Sequence, residues 1–341
     1  MLHYINLEQE LLHSHVARSC NKLLVISGYV GSEIVRELDK FPKDTQFTIV
    51  YGMYGCDNIS EPLHKKLVEL HKKLENVEIL YSTVPIHSKI YCWSYNDVIK
   101  STMIGSANFT INGLRRNYKE TLYDVHEESI PEYIEYFKYV LDRSLPCTDK
   151  SITLKKQRHI DVGDNIYATQ PFISEGICRA SLLSRGKEVA EKSGLNWGLS
   201  PAHVSPGDAY IAITKEYIKY FPSLFPSKKY VNGIQNVDSK GKANRENDEV
   251  ELIWDDGTSM IGLMEGQQTD ENGLIYPKQL SSSPNKNIIG QYIRKRLGIL
   301  KADGSVDNEY RITRADLIKY GRTHIDISLI GEGIYYMDFS V

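Results

Sequence analysis

PIHSKIYCWSYNDVIKSTMIGSANFTINGLRRNYKE, Pro85 to Glu120, is the stretch on which the reading of this chain turns. His87 and Lys89 stand two apart in an apolar, β-branched run from Ile86 to Trp93. In a strand that spacing puts both side chains on one face. A second apolar run, Val98 to Ile104, follows the polar turn Ser94-Tyr95-Asn96-Asp97 and ends in Gly105-Ser106-Ala107-Asn108. Ser106 and Asn108 again share a face if the strand continues, and Glu120 opens a third alternating run to Val125.

These residue types make a phosphate site. A neutral imidazole can attack phosphorus, and a lysine ammonium neutralises non-bridging oxygens. A hydroxyl and a carboxamide add hydrogen-bond donors, while a carboxylate can fix a histidine tautomer. A lone His-x-Lys is commonplace, and the chain holds its own controls. His64-x-Lys66 and His71-x-Lys73 fall in a segment of helical periodicity, where residues two apart do not share a face, and no Gly-Ser-x-Asn follows them at a similar distance. The ordered set His87, Lys89, Ser106, Asn108 and Glu120 is far more specific.

At these positions the chain resembles the phospholipase D superfamily. The resemblance implies that His87 is a nucleophile forming a covalent phosphohistidine without metal or other cofactor. It also implies that Lys89, Ser106 and Asn108 hold the phosphate and that Glu120 orients the histidine. The family places an Asp five residues after the lysine; here that position is Ser94, with Asp97 nearby but out of register. Two such motifs are needed, one histidine to attack and one to protonate the leaving oxygen. This chain has one complete motif, so a homodimer sharing one centre is expected.

At 341 residues the chain suggests two domains, and its 41% hydrophobic and 25% charged content is that of a globular protein. No run reaches membrane-spanning length, and Met1–Glu10 lacks a basic, apolar signal pattern. Five scattered cysteines never form Cys-x-x-Cys, which favours neither a zinc cluster nor a disulfide framework and fits a cytoplasmic setting. Residues 1–150 carry 17 Lys+Arg against 20 Asp+Glu, and residues 151–341 carry 24 against 24. Any contact with nucleic acid would therefore have to come from local patches rather than bulk charge.

Residues 1–150 read as alternating helix and strand. Helices are expected at Asn6–Ser19, Glu61–Leu74 and Ile130–Leu141, and strands at Lys22–Val30, Phe47–Tyr51 and Val77–Tyr81 besides those above. The expectation is an α/β domain, a mixed sheet covered by helices. Residues 151–165 read as a linker, with the basic run Lys155-Lys156-Gln157-Arg158-His159 at its start. From residue 166 to 341 short β-rich runs alternate with turns: Ala209–Ile213, Val250–Trp254, Ser259–Met264, Ile325–Leu329 and Ile334–Phe339. Helices are expected at Ile288–Leu297 and at Arg314–Tyr320, the latter capped by Thr313. That grammar suits a mainly-β barrel or pseudobarrel.

The second half resembles B3-like DNA-recognition domains, on Asp208–Ile213, the Val250–Met264 hairpin and the Ile312–Phe339 close. In such domains two loops enter the major groove. By position, an N-arm would lie in Ser181–His203 with Arg185, Lys187, Asn196, Trp197 and His203. A C-arm would lie in Glu265–Lys278 with Gln267, Gln268, Asp270, Asn272 and Lys278. Those side chains suit base edges, Arg or Lys to guanine, Gln or Asn to adenine and Asp to cytosine.

A phospholipase-D-like core followed by a B3-like reader resembles the BfiI/NgoFVII-like restriction endonucleases. The resemblance implies metal-independent cleavage of double-stranded DNA at a chosen site. Some systems of this type add a helicase-like ATPase partner; this chain itself has no Gly-x-x-x-x-Gly-Lys-Ser/Thr nucleotide loop. Two rival functions make other demands on the sequence. A phospholipid-processing relative requires an apolar surface, an anchor or a second motif. A DNA-binding regulatory module with an inactive nuclease half requires loss of a motif residue, and all five are present.

Overall fold

The β-branched run Lys22–Ser27 forms β2, the central strand of the first sheet, and its neighbours set where the motif residues fall. In this computed structural model, residues 1–117, 119–125, 130–155, 176–227 and 247–341 are described. Tight contacts divide the chain into two units, Met1–Arg158 with Ile330–Ile334, and His159–Leu329 with Tyr335–Val341.

In the first unit β1 (Leu2–His3), α1 (Leu7–Leu12) and α2 (His15–Ser19) lead into β2. Next come α3 (Ser32–Glu37), β3 (Gln46–Tyr51), α4 (Tyr54–Asp57), β4 (Ile59–Ser60), α5 (Glu61–Lys73) and β5 (Val77–Ser82). The hairpin β6 (Ile90–Tyr95) and β7 (Val98–Gly105) follows, then α6 (Ile111–Arg115), β8 (Leu122–Asp124), α7 (Ile130–Leu141), β9 (Ser144–Pro146) and β10 (Leu154–Lys155). Eight strands form one mixed sheet in the order β1-β8-β7-β6-β2-β3-β5-β9. β2, β3 and β5 run parallel, while β6 lies antiparallel to β2 and β7 antiparallel to β6.

Period-two burial explains the layering. Leu23 and Val25 of β2 are fully buried on one face, while Ile26 joins Val50, Leu80, Ile90, Phe137 and Val140 in a core that α7 covers on the other. The helix expected over Asn6–Ser19 is two helices, because Ser14 breaks the run and caps the second, its Oγ accepting from Ala17 N at 3.2 Å. His64 and His71 lie on α5 as the spacing requires. His64 Nδ1 meets Tyr81 Oη at 3.2 Å and His71 Nδ1 meets Val77 O at 3.1 Å, so both serve packing. β9 pairs with β5, and of the segment expected to link the domains Leu154–Lys155 forms β10, paired with β4. Lys156 to His159 of the basic run lie outside the described residues.

The second unit is mainly β. Its sheet has the order β11-β18-β19-β13-β14-β17-β12. The strands are β11 (Ile177–Ser181), β12 (Ile211–Ala212), β13 (Asp248–Trp254), β14 (Ser259–Glu265), β17 (Gln279–Ser282), β18 (His324–Gly331) and β19 (Ile334–Asp338). A separate two-stranded ribbon pairs β15 (Gln268–Thr269) with β16 (Ile275–Tyr276). Helices α8 (Lys215–Tyr220), α9 (Asn287–Arg296) and α10 (Arg314–Tyr320) pack around a core that includes Trp254, Met264, Ile293, Leu317 and Met337. α10 carries the full reciprocal cap, the Thr313 side chain accepting from Asp316 N and Asp316 from Thr313 N. The result is a barrel-like curved sheet, the pseudobarrel form that the short runs imply.

A buried ionic cluster ties together β11, β18 and β19. Arg179 grips Asp326 bidentately at 2.9 and 3.0 Å, and Arg322 bridges Asp326 at 2.8 Å and Asp338 at 2.9 Å. His324 is 1% exposed beside them with no hydrogen bond to either ring nitrogen.

Candidate active site

Strand direction assembles the site. Because β6 runs against β2, its beginning lies beside the end of β2, with Ile26 opposite Ile90. Because β7 runs against β6, its end returns to the same edge, with Ile104 opposite Ile90. Gly28 after β2, His87 and Lys89 before β6, and Ser106 and Asn108 after β7 therefore converge at the carboxyl ends of the parallel strands. That edge is where open sheets of this kind leave a crevice. His87 and Lys89 are not in the strand itself; they lie in an extended approach to it, joined by Ile86 N–H to Gly52 O at 3.0 Å and Gly105 N–H to Lys89 O at 3.2 Å.

His87 is exposed, whereas Lys89 is only 7% exposed. Lys89 Nζ donates to His87 O at 2.7 Å and lies 3.2 and 3.1 Å from Nδ1 and Nε2 of the same imidazole. Ring nitrogen lone pairs diverge, so an ammonium equidistant from both sits against the ring rather than bonding to either in its plane. Burial depresses the Lys89 pKa, with nearby carboxylates including Glu120 acting against that shift. The cation is thus a poorly hydrated charge at the imidazole, suited to neutralising an anion that the imidazole attacks.

Asn108 is 4% exposed and held from several sides. Its Oδ1 accepts from Tyr29 N at 3.1 Å and lies 3.3 Å from Ser27 Oγ. Ser27 Oγ in turn accepts from Phe109 N at 2.8 Å. Beyond it Thr110 caps α6, its Oγ1 accepting from Gly113 N at 2.9 Å. A Cβ at Gly113 would stand 2.3 Å from Asn108 O, so the run Asn108-Phe109-Thr110-Ile111-Asn112-Gly113 closes only around a glycine. Ser106 Oγ accepts from Thr121 N at 3.0 Å and bonds the Glu120 carboxyl. Burial raises the Glu120 pKa, partly offset by that hydroxyl.

Of the residues off the motif, Ser94 is buried in β6 opposite Lys22, and Asp97 pairs with Lys22 Nζ at 3.1 Å in the hairpin turn. Both belong to the far end of the hairpin, away from His87. Sequence reasoning missed Gly28, Tyr29 and Asp57. An ideal Cβ at Gly28 would lie 3.0 Å from His87 Cδ2, 3.2 Å from Asn108 Oδ1 and 3.5 Å from Lys89 Nζ. Gly28 therefore floors the site. The Gly28-Tyr29 step directly after an apolar strand was the available signal. Among the described residues no group of three or more His, Cys, Asp or Glu is placed to hold a metal ion, and no helix is long and apolar enough to cross a membrane.

In the second unit the expected arms are loops with internal bracing. In the N-arm region Arg185 and Lys187 are exposed in a turn where Ser184 N bonds Glu188 O at 2.7 Å and Arg185 has φ 50°. His203 is exposed, and Trp197 packs edge-on against Tyr210. Asn196 is fully buried. Its amide donates to Ala190 O and Ile312 O and its Oδ1 accepts from Ile312 N, so its polar atoms brace the arm. In the C-arm region Gln268 donates to Ile213 O and Pro277 O at 2.7 and 2.8 Å. Asp270 Oδ1 accepts from Asn272 N and Leu274 N, which leaves Asn272 exposed at the ribbon tip. Lys278 is exposed and Gln267 half-buried.

Residues 5–154 match the family model for the NgoFVII restriction endonuclease N-terminal PLD domain. Residues 173–331 match the model for the NgoFVII C-terminal B3-like DNA-binding domain. No match was found among curated proteins. Similar solved structures include NucT from Helicobacter pylori, 19% identical, covering 43% of this chain and 97% of that one at a TM-score of 0.31. Polyphosphate kinase from Porphyromonas gingivalis is 12% identical, covering 43% of this chain and 23% of that one, also at 0.31. At TM-scores this low neither likeness bears on the assignment.

Proposed function

We propose, for a chain that belongs to the NgoFVII restriction endonuclease family, that it cuts DNA at a chosen sequence without a metal ion, through a phosphohistidine at His87. Family membership makes the protein a nuclease that carries a DNA-binding domain. The observation that carries the finer reading is the buried Lys89 ammonium lying 3.1 to 3.2 Å from both nitrogens of the exposed His87 imidazole. One group is placed to attack phosphorus and the other to neutralise the oxygens that gain charge.

The imidazole nitrogen attacks phosphorus in line with one P–O bond. An N–P bond forms, the P–O bond breaks, and the leaving oxygen takes a proton. Water then attacks phosphorus, the N–P bond breaks, and His87 is restored. The proton donor of the first step, and the base that receives water's proton in the second, is His87 of the partner subunit in a homodimer. Lys89, Asn108 and Ser106 hold the phosphate, and Glu120 orders Ser106 and the charge around Lys89. In the reader, the exposed Arg185, Lys187, His203, Asn272 and Lys278 are the candidates for DNA contact, with Trp197, Gln267, Gln268 and Asp270 shaping the arms.

Incubating the protein with plasmid and genomic DNA in excess EDTA tests this. Discrete fragments should form with wild type and none with His87→Ala, and excess His87→Ala protein should depress wild-type cutting more steeply than dilution does. Strict magnesium dependence, or cutting by pure His87→Ala, overturns the mechanism.

A further inference from the structure

His87 carries the chemistry yet is exposed and lies ahead of its strand, so something must hold its ring in the attacking orientation. The position where a strand carboxylate would stand in the superfamily is Ser94, buried at the other end of β6. The aromatic ring that meets His87 is that of Tyr29. Their centroids are 6.2 Å apart at an interplanar angle of 81°, an edge-to-face contact. Tyr29 also meets Tyr51 in the same manner, at 6.0 Å and 87°, and Tyr51 is buried in β3. The Tyr29 hydroxyl donates to Asp57 Oδ2 at 2.8 Å, and Asp57 ends α4, its own N–H bonded to Met53 O at 2.9 Å.

We propose that Tyr29, pinned by Asp57 and backed by Tyr51, is the positioning residue that sets the His87 imidazole for attack. The proposal rests on the nuclease reading for its effect on rate, but not for its effect on the ring. Three contacts act on different parts of one residue. The backbone N–H of Tyr29 fixes Asn108, its ring packs against His87, and its hydroxyl stops the ring from swinging out of the site. Burial first, and then the bond to Asp57, pushes the Tyr29 phenol up to about 12, so it remains a donor across the working pH range. Asp57 touches neither His87 nor a substrate in this scheme; it acts through Tyr29.

The test uses Tyr29→Phe, Asp57→Ala and Asp57→Asn in the full-length protein, with bis(p-nitrophenyl) phosphate as a probe that needs no recognition sequence. Tyr29→Phe and Asp57→Ala each remove the same tie, so each should lower kcat about 10-fold with KM within twofold, and the double variant should be no worse than either. Asp57→Asn keeps an acceptor oxygen and should restore most of the rate. A structural role alone would not produce that ordering at unchanged KM. Independently of activity, the imidazole carbon–proton NMR signals of His87 should be sharp in wild type and Asp57→Asn, but shifted and broadened in Tyr29→Phe and Asp57→Ala. Unchanged His87 signals in both of those variants overturn the proposal whatever the rates. Additive losses in the double variant overturn it as well. Hydrolysis of the probe by His87→Ala would defeat the nuclease reading instead, and the NMR comparison would still decide the positioning role.

Discussion

Replacing Gly28 by alanine asks whether the space over the site floor is needed. The added methyl would meet His87 Cδ2 at 3.0 Å, Asn108 Oδ1 at 3.2 Å and Lys89 Nζ at 3.5 Å. Carbon atoms rest at about 3.5–4.0 Å, so the imidazole must retreat by roughly half an ångström. Because His87 is exposed it can do so, and the fold should lose less than about 1 kcal/mol, below the usual cost of overpacking a core. Its catalytic position is less forgiving. A shift of about 1 Å costs on the order of 100-fold in rate, so half of that predicts roughly 10-fold, or about 1.4 kcal/mol of barrier. Single-turnover cleavage under EDTA, with thermal melting of the same sample, reads both quantities. Gly52→Ala is the contrast, since its methyl would stand 2.2 Å from the backbone Ile86 O, which cannot yield, and it should unfold the unit. Wild-type rate in folded Gly28→Ala, or loss of rate only in step with loss of fold, would refute the reasoning.

Other outcomes can be stated briefly. Lys89→Met should abolish cleavage without lowering the melting temperature. Burial lowers the folded pKa of Lys89, so its charge costs stability at neutral pH, and that cost fades only as pH rises toward the ordinary lysine range. For the same reason the wild-type rate should fall on the alkaline side below that range, and a flat alkaline limb would contradict it. In the second unit, burial depresses His324 to about 4, with Asp326, Arg179, Arg322 and Asp338 around it. Its unfolded form takes a proton as pH drops through about 6.5 while the folded form does not. Stability should fall from there toward pH 4 by up to about 3 kcal/mol, and His324→Leu should flatten that slope in denaturant titrations at several pH values. In the arms, Arg185→Ala or Lys278→Ala should cost about 1–3 kcal/mol at particular base pairs if a base edge is read, or weaken all sequences and reduce the salt slope by about 1 if a phosphate is held. Binding unchanged by both would remove these residues from the interface.

The residues of the proposed site could be grouped from the sequence because they are close in the chain and strand geometry does the rest. The direction of one hairpin is enough to bring the segments before β6 and after β7, with His87, Lys89, Ser106 and Asn108, to one edge. Gly28, Tyr29 and Asp57 were not singled out, since Gly28 and Tyr29 meet the motif only through pairing of β2 with β6, and Asp57 comes beside them only through pairing of β2 with β3, long-range events with no local spacing. In the second unit the longer strands and the Thr313 cap followed from pattern. The expected run Ala209–Ile213 forms only the two-residue β12, because pairing with β17 rather than its own sequence decides its length. Polar type alone also misled in the arms. Asn196 and Gln268 look like base readers on paper, but their amides close backbone gaps that a loop would otherwise leave open.

The Asp270 turn has a consequence for how such a protein changes over generations. Because Asp270 Oδ1 organises the tip from within, residues 271 and 272 project outward, and position 273 asks only for the positive φ that glycine supplies. Mutations at 271 and 272 therefore meet almost no resistance from folding. The ribbon behaves as an exchangeable fitting on a fixed mount, and a lineage can drift through many tip chemistries without first having to repair its barrel.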